Sequence, residues 1–316
     1  MSHPGRTMRS MTVAELVEAP PPGVRRTRAL VRAAAAASVV LLVAGVLGLA
    51  VHDAGTSVDR NVLGRVTAAA ARTVSAKSAK FTAETATSIG GTATPATSFS
   101  ASGAFDFVQK RGTAQAQIGP FGTVDIVVVG STEYIKLPDA LRKGASVSTP
   151  WLSVDMAALV NQAGSLGGST PSLPGGGDPA AILGQLQATG AVKQATEVGN
   201  AKVRGADTTH YRAVLDGEKL KGTLTNVLGS LPPVNNVKLE DPVADLWVDK
   251  DGMVRRQVVV VASRLGSGSR AVRVENTTTT ELFDFGSPVT ATVPPSTQVT
   301  QLGSLAQLFQ MFGPGG

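Results

Sequence analysis

Between Ala33 and Val51 the chain reads AAAAASVVLLVAGVLGLAV, 19 residues without one ionisable side chain. As a helix rising about 1.5 Å per residue, this run approaches the thickness of a bilayer's hydrocarbon core, about 30 Å. Arg25, Arg26, Arg28 and Arg32 precede it, and His52 and Asp53 follow it. An excess of arginine on one flank holds that flank in the cytoplasm. Residues 1–32, with Pro20-Pro21-Pro22 and no hydrophobic period, are therefore expected to be a basic, disordered cytoplasmic tail. Everything after Val51 is expected outside the cytoplasm. A core helix is rarely apolar all round and led by an arginine cluster. Two uses of the segment 33–51 compete. It can remain as a single-pass anchor, or it can be a signal peptide cut after Gly48-Leu49-Ala50, a small-x-small pattern. The length of the run, and of the extension before it, favours the anchor.

The same tail explains most of the basic character. The net charge is +6, and residues 1–51 hold six Arg against Glu15 and Glu18, which places four of those charges there. A short basic tail beside a membrane segment is not a stripe that could track phosphates, so nucleic acid is not expected as a partner. The chain has no cysteine. That excludes disulfides, thiol catalysis, thiolate metal sites and a lipid-modified N-terminal Cys. Aromatic residues are 4% of the chain, so its core must be built mainly from Val, Leu and Ala.

Beyond the anchor, apolar residues fall at helical spacing from Val58 to Val74. A Thr-rich strand is expected over 80–87, with a turn at Gly90-Gly91. Phe99, Ala101, Phe105 and Phe107 share one face of the next strand. Val124, Ile126 and Val128 form a second stripe, and Val127 and Val129 fill its other face, as in a strand covered on both sides. Pro138–Lys143 and Val154–Gln162 look helical, and Asp178-Pro179 opens a helix to about Ala188. Gly164–Gly177 is a Gly/Ser/Pro-rich loop or linker. Strands are expected at Ala195–Val198, Lys202–Arg204 and Thr208–Leu215, then a helical piece over Glu218–Leu228. A hairpin follows, Ala244–Asp249 and Val254–Ala262, turning at Lys250-Asp251-Gly252, and then a strand over Ala271–Phe285. Leu302–Phe312 is an apolar helical patch within a C-terminal tail, 301–316. Consecutive strands joined by tight turns, with helices between groups of them, predict an α+β domain over 55–300. Its sheet is antiparallel with helices on one face.

Residues that carry chemistry are scarce. His210 lies in an alternating strand, where histidine is usually structural, and no other His or Cys stands at metal-ligand spacing. No nucleophile elbow, phosphate loop or zinc-protease motif is present. Asp249-Lys250-Asp251-Gly252 begins like a calcium loop but lacks the later acidic ligands, and reads as the hairpin turn. No cofactor, metal or catalytic residue is expected, and the chain is read as a non-enzyme.

One resemblance covers roughly Ala69 to Phe285. Val198-Gly199-Asn200-Ala201-Lys202-Val203-Arg204-Gly205 with Thr208-Thr209-His210-Tyr211-Arg212-Ala213-Val214-Leu215-Asp216 resembles a segment of the LppX/LprG-type envelope lipoproteins. So does Leu246-Trp247-Val248-Asp249-Lys250-Asp251-Gly252-Met253-Val254-Arg255-Arg256, and Trp151-Leu152-Ser153-Val154-Asp155 occurs in matching order. The resemblance implies a LolA-like fold, an antiparallel sheet curled as a half-barrel with helices across its concave face. It also implies binding of a membrane lipid or glycolipid between sheet and helices. Such lipoproteins attach through a lipidated Cys, whereas this chain has Val51 near that place. Phe99, Phe105, Phe107, Val124, Ile126, Val128, Leu246, Val248, Val258 and Val260 are the candidates to line a lipid cavity. The alternative for each is ordinary packed core. The rival function is an extracytoplasmic sensor or interaction module with an envelope protein partner.

Overall fold

The computed structural model describes residues 60–93, 99–118, 122–144, 147–155, 157–158, 192–220, 237–265, 271–303 and 307. The segment 33–51, the loop 164–177 and the helix expected after Asp178 lie outside them. Among the described residues no helix is long and apolar enough to cross a membrane.

Helix α1 (Arg60–Ser75) forms where the sequence predicts it. Val62, Leu63, Val66, Ala69 and Ala70 recur at helical spacing and are all buried, while Asn61, Gly64, Arg65, Ala68 and Arg72 face out. The helix ends when Lys77 takes a left-handed conformation, φ 72°, and the chain enters the sheet.

The strands are β1 (Ser78–Ile89), β2 (Thr92–Ala93), β3 (Phe99–Asp106), β4 (Arg111–Ile118), β5 (Thr123–Val129), β6 (Thr132–Lys136) and β7 (Trp151–Asp155). They continue as β8 (Val192–Val203), β9 (Ala206–Leu215), β10 (Val237–Leu239), β11 (Val243–Asp249), β12 (Val254–Leu265), β13 (Val272–Phe283) and β14 (Val299–Leu302). A short helix, α2 (Asp139–Gly144), separates β6 from β7. The strands form one sheet in the order β14-β7-β6-β5-β4-β3-β1-β13-β12-β11-β9-β8, with β10 on β12 and β2 on β1. The sheet is open, because β8 and β14 do not pair with each other. All neighbours are antiparallel except β14 and β7, which are parallel.

Three expectations need correction. Trp151–Asp155 is strand, so Val154 and Asp155 do not open the helix expected over Val154–Gln162. Leu152, Ser153 and Val154 are all buried between half-buried Trp151 and Asp155, so these five residues display no period of two for the sequence to show. Helical backbone begins only past Asp155, whose Oδ1 accepts from the Ala157 and Ala158 N–H groups at 3.0 and 3.2 Å. Gly199-Asn200 does not break β8 into two strands. Its register against β9 shifts between Glu197 and Gly199, so the glycine marks an irregularity within one long strand. Finally, Leu302 closes a strand, and of the remainder of the apolar patch only Gly303 and Gln307 are described.

Cross-strand pairing fixes which residues share a face. The row Phe81, Gly103, Ala114, Ile126, Ile135 and Leu152 runs across β1, β3, β4, β5, β6 and β7 on one side. The same side carries Leu246 and Tyr211 on β11 and β9, and α1 packs there. It is the inner face. Gly103 shows why the sheet can curl: a Cβ there would run into the Thr113 carbonyl oxygen and lie 2.8 Å from the Ala114 Cα. Gly112, one pair along, would meet the Phe105 ring at 2.5 Å. Side chains at these two inward positions would prise β3 from β4.

Candidate functional site

Two apolar clusters occupy the inner face. Under α1, the helix residues meet Val192, Ala195, Tyr211, Leu215, Ala244, Leu246, Val248 and Val254. Over β1 and β3–β5, Ala83, Phe99, Ala116 and Val124 are buried together, with Phe81, Ala101, Ile126 and Ile135 against them. A smaller group of Ala79, Phe107 and Leu282 borders Phe81 and Phe105, and the Phe105 and Phe107 rings lie 5.8 Å apart. Between the two large clusters runs a buried polar seam. Thr85 and Thr278 share a hydroxyl hydrogen bond of 3.1 Å, Thr87 donates to Asn276 at 2.7 Å, and Thr280 and Gln257 are buried beside them.

The register brings Phe99, Phe105, Val124, Ile126, Val128, Leu246 and Val248 onto this one face, and Phe107 is buried at its margin. Val258 and Val260 lie on the other face, opposite Asp245 and Val243. The cause is a bulge. Trp247 pairs with Arg256 but Val248 pairs with Val254, so Arg255 is an extra residue in β12. One extra residue inverts the alternation of the strand beyond it. Val259 therefore turns inward and packs against the cluster under α1. The displaced Arg255 guanidinium binds Asp249 Oδ2 at 2.5 Å and lies 4.8 Å from the Phe285 ring centroid.

Sequence reasoning passed over one inward residue. Glu133 on β6 pairs across to Val128 on β5 and Val154 on β7, so it shares their face. It is buried, and among the described residues its Oε1 has no hydrogen-bond partner. Burial pushes its carboxyl from the ordinary 4.5 up to about 7. The signal was present in Thr132-Glu133-Tyr134-Ile135-Lys136, where Glu133 alternates in phase with Ile135.

The outer face is polar and densely paired. Asp245 accepts from His210 Nε2 at 2.7 Å and from Arg212 at 2.8 and 3.0 Å. The carboxylate raises the Arg212 pKa further. The His210 ring stacks on Trp247 with centroids 4.2 Å apart. Glu281 is gripped by Arg256 and Arg204, and Arg204 also covers the Phe283 ring at 4.0 Å. Glu240 is held below the usual carboxylate range by its bond to Arg273. A shallow depression of about 600 Å³ is lined by outer-parity residues such as Lys80, Gln115, Asp125 and Phe283 and also by Phe81, Gly103, Ala114 and Ile126 of the inner row. Among the described residues no three His, Asp or Glu side chains converge as metal ligands.

No family model matches the chain, and no curated protein matches it. Among solved structures it is similar to the lipoprotein LppX of Mycobacterium tuberculosis, at 13% identity and TM-score 0.45, over 74% of this chain and 100% of that one. It is similar to LprF of Mycobacterium bovis, at 14% identity and TM-score 0.40, over 76% and 100% of the two chains. A LolA superfamily protein of Nitrosomonas europaea is similar at 9% identity and TM-score 0.25, over 77% and 97%.

Proposed function

We propose that the chain is a membrane-held, extracytoplasmic protein whose inner sheet face binds a lipid or glycolipid during assembly of the cell envelope. The observation that carries this reading is the shared face. Phe99, Phe105, Val124, Ile126 and Val128 stand together on it with Leu246 and Val248. An acyl chain laid along such a face gains about 25 cal/mol per Å² of apolar area removed from water. Residues 33–51 hold the domain at the bilayer in this reading, with the N-terminus cytoplasmic. A fixed anchor suits a tethered donor or receiver better than a shuttle.

The test is photo-crosslinking of the full-length chain in lipid vesicles with a fatty acid bearing a photoactivatable group. Labelled peptides from β3, β5 and β11, on residues of inner parity, are the expected result. Labelling confined to residues 33–51 would overturn the reading, because any membrane segment meets lipid there. A second reading, an interaction module, draws on one observation. Strand β8 is twelve residues long and, among the described residues, pairs only with β9, which leaves an edge that a partner strand could extend. Deleting residues 1–24 separates the two: a lipid binder keeps its labelling, whereas a transmembrane sensor loses its signal.

A further inference from the structure

Glu133 is out of keeping with its surroundings. Along its row the flanking inner residues are Val128 and Val154, and its neighbour two residues on is Ile135. The other charged residues of β5, β6 and β7 are Asp125, Lys136 and Asp155, and all three have outer parity. Asp125 and Lys136 answer each other at 3.6 Å on that side. No counter-ion on these strands therefore faces Glu133, and among the described residues its Oε1 is unpartnered. A carboxyl placed so costs stability that Val or Leu in the same position would not. Unpaired buried polar groups are rare enough that each calls for a reason.

Resting on the lipid-binding reading above, we propose that Glu133 is the polar anchor of the inner face and receives a hydroxyl group carried on an acyl chain. Its cargo is then a hydroxylated acyl lipid, and not a plain hydrocarbon chain. Charge decides among the alternatives. A phosphate or carboxylate head group would meet a like charge whenever Glu133 is ionised. An ammonium group would have to be stripped of water in an apolar setting to reach it. A hydroxyl both donates and accepts, so it satisfies the carboxyl in either protonation state. The neighbouring Val128, Val154 and Ile135 accommodate the methylene groups on either side of that hydroxyl.

The experiment compares a plain photoactivatable C16 fatty acid with a set bearing a single hydroxyl at different carbons. Each is presented in phosphatidylcholine vesicles to the full-length protein. At least one hydroxylated probe should label the wild type about fivefold more than the plain probe, the worth of one hydrogen bond. Glu133→Leu should remove that preference while still labelling with the plain probe, and Glu133→Gln, which keeps a hydrogen-bonding side chain, should retain part of it. Equal labelling of the wild type by every probe overturns the proposal and leaves lipid binding intact. So does a preference that survives in Glu133→Leu. Labelling of the inner face by no probe overturns the lipid-binding reading, and this proposal falls with it.

Discussion

A carboxyl carried from water onto an apolar strand face keeps its proton to a higher pH than the same carboxyl in an unfolded chain. For Glu133 the pKa rises from 4.5 to about 7. Below pH 4.5 both states are protonated, and the group has no effect on folding. Between pH 4.5 and 7 the unfolded chain ionises first, so stability falls as the pH rises. Above pH 7 both states are ionised and the penalty is complete, about 3 kcal/mol at 1.36 kcal/mol per pKa unit. Carboxyls lowered by partners, such as Glu240 beside Arg273, pull stability the other way, so the readout is a difference between proteins. Glu133→Gln should melt several degrees above the wild type at pH 8 and at nearly the same temperature at pH 4, measured by circular dichroism. Equal melting at both pH values would mean that Glu133 is solvated. The sequence held enough to find this residue, since its phase with Ile135 is a plain alternation. A single charged residue in a five-residue strand draws less notice than a valine run. The phenylalanines of β3 were legible for the same reason that Glu133 could have been: period two survives wherever polar and apolar residues truly alternate.

Between elements, one side chain ties α1 to the sheet. Thr73 is fully buried, and its hydroxyl donates to the Ala69 carbonyl at 2.7 Å. The same oxygen accepts from the Val254 N–H at 2.9 Å. Val254 opens β12 at the bulge, where the irregular pairing leaves its backbone in need of an acceptor. Thr73→Val keeps the shape and removes both bonds, stranding a buried N–H. The expected loss is about 1–3 kcal/mol in denaturant unfolding, with fast amide exchange at Val254. Unchanged stability would show that the Thr73 bond adds nothing to the other contacts holding the helix on the sheet. This bulge is also where sequence reading put Val258 and Val260 on the wrong face. Val258, Val259, Val260 and Val261 are four consecutive valines with no alternation to betray their phase. The phase had to be carried over from Leu246 and Val248 through the turn, and Arg255 inverts it on the way. Nothing in a valine run announces an inserted residue. The inversion is a property of the pairing between two strands and not of either strand alone.

At the scale of the whole molecule, turn residues mark the hairpins, but not the antiparallel pairing of β1 with β13, which lie near opposite ends of the domain. The edge at β14 had no such signal. It lies parallel to β7, and the two are separated by nearly half of the chain. Parallel pairing of distant segments leaves no turn residues to read. Yet β14 decides how that end of the sheet is finished. Leu302 is buried and pairs with Val154, and Thr300 pairs with Leu152 and bonds the Thr149 hydroxyl at 2.6 Å. Without β14, strand β7 becomes the edge and exposes backbone that invites other chains. Glu133 sits only one strand further in, across from Val154. Removing residues 296–316 should therefore have two linked effects. The melting temperature should fall, with more aggregate in light scattering, and the gap between wild type and Glu133→Gln at pH 8 should narrow as water reaches β6. Leu302→Asp, which keeps the length of the chain, should move both quantities in the same direction. If truncation lowers stability but leaves the Glu133→Gln gap intact, then β14 stabilises the edge without sealing the inner face. If neither quantity moves, β14 does not remain on β7 in solution, and the sheet ends at β7.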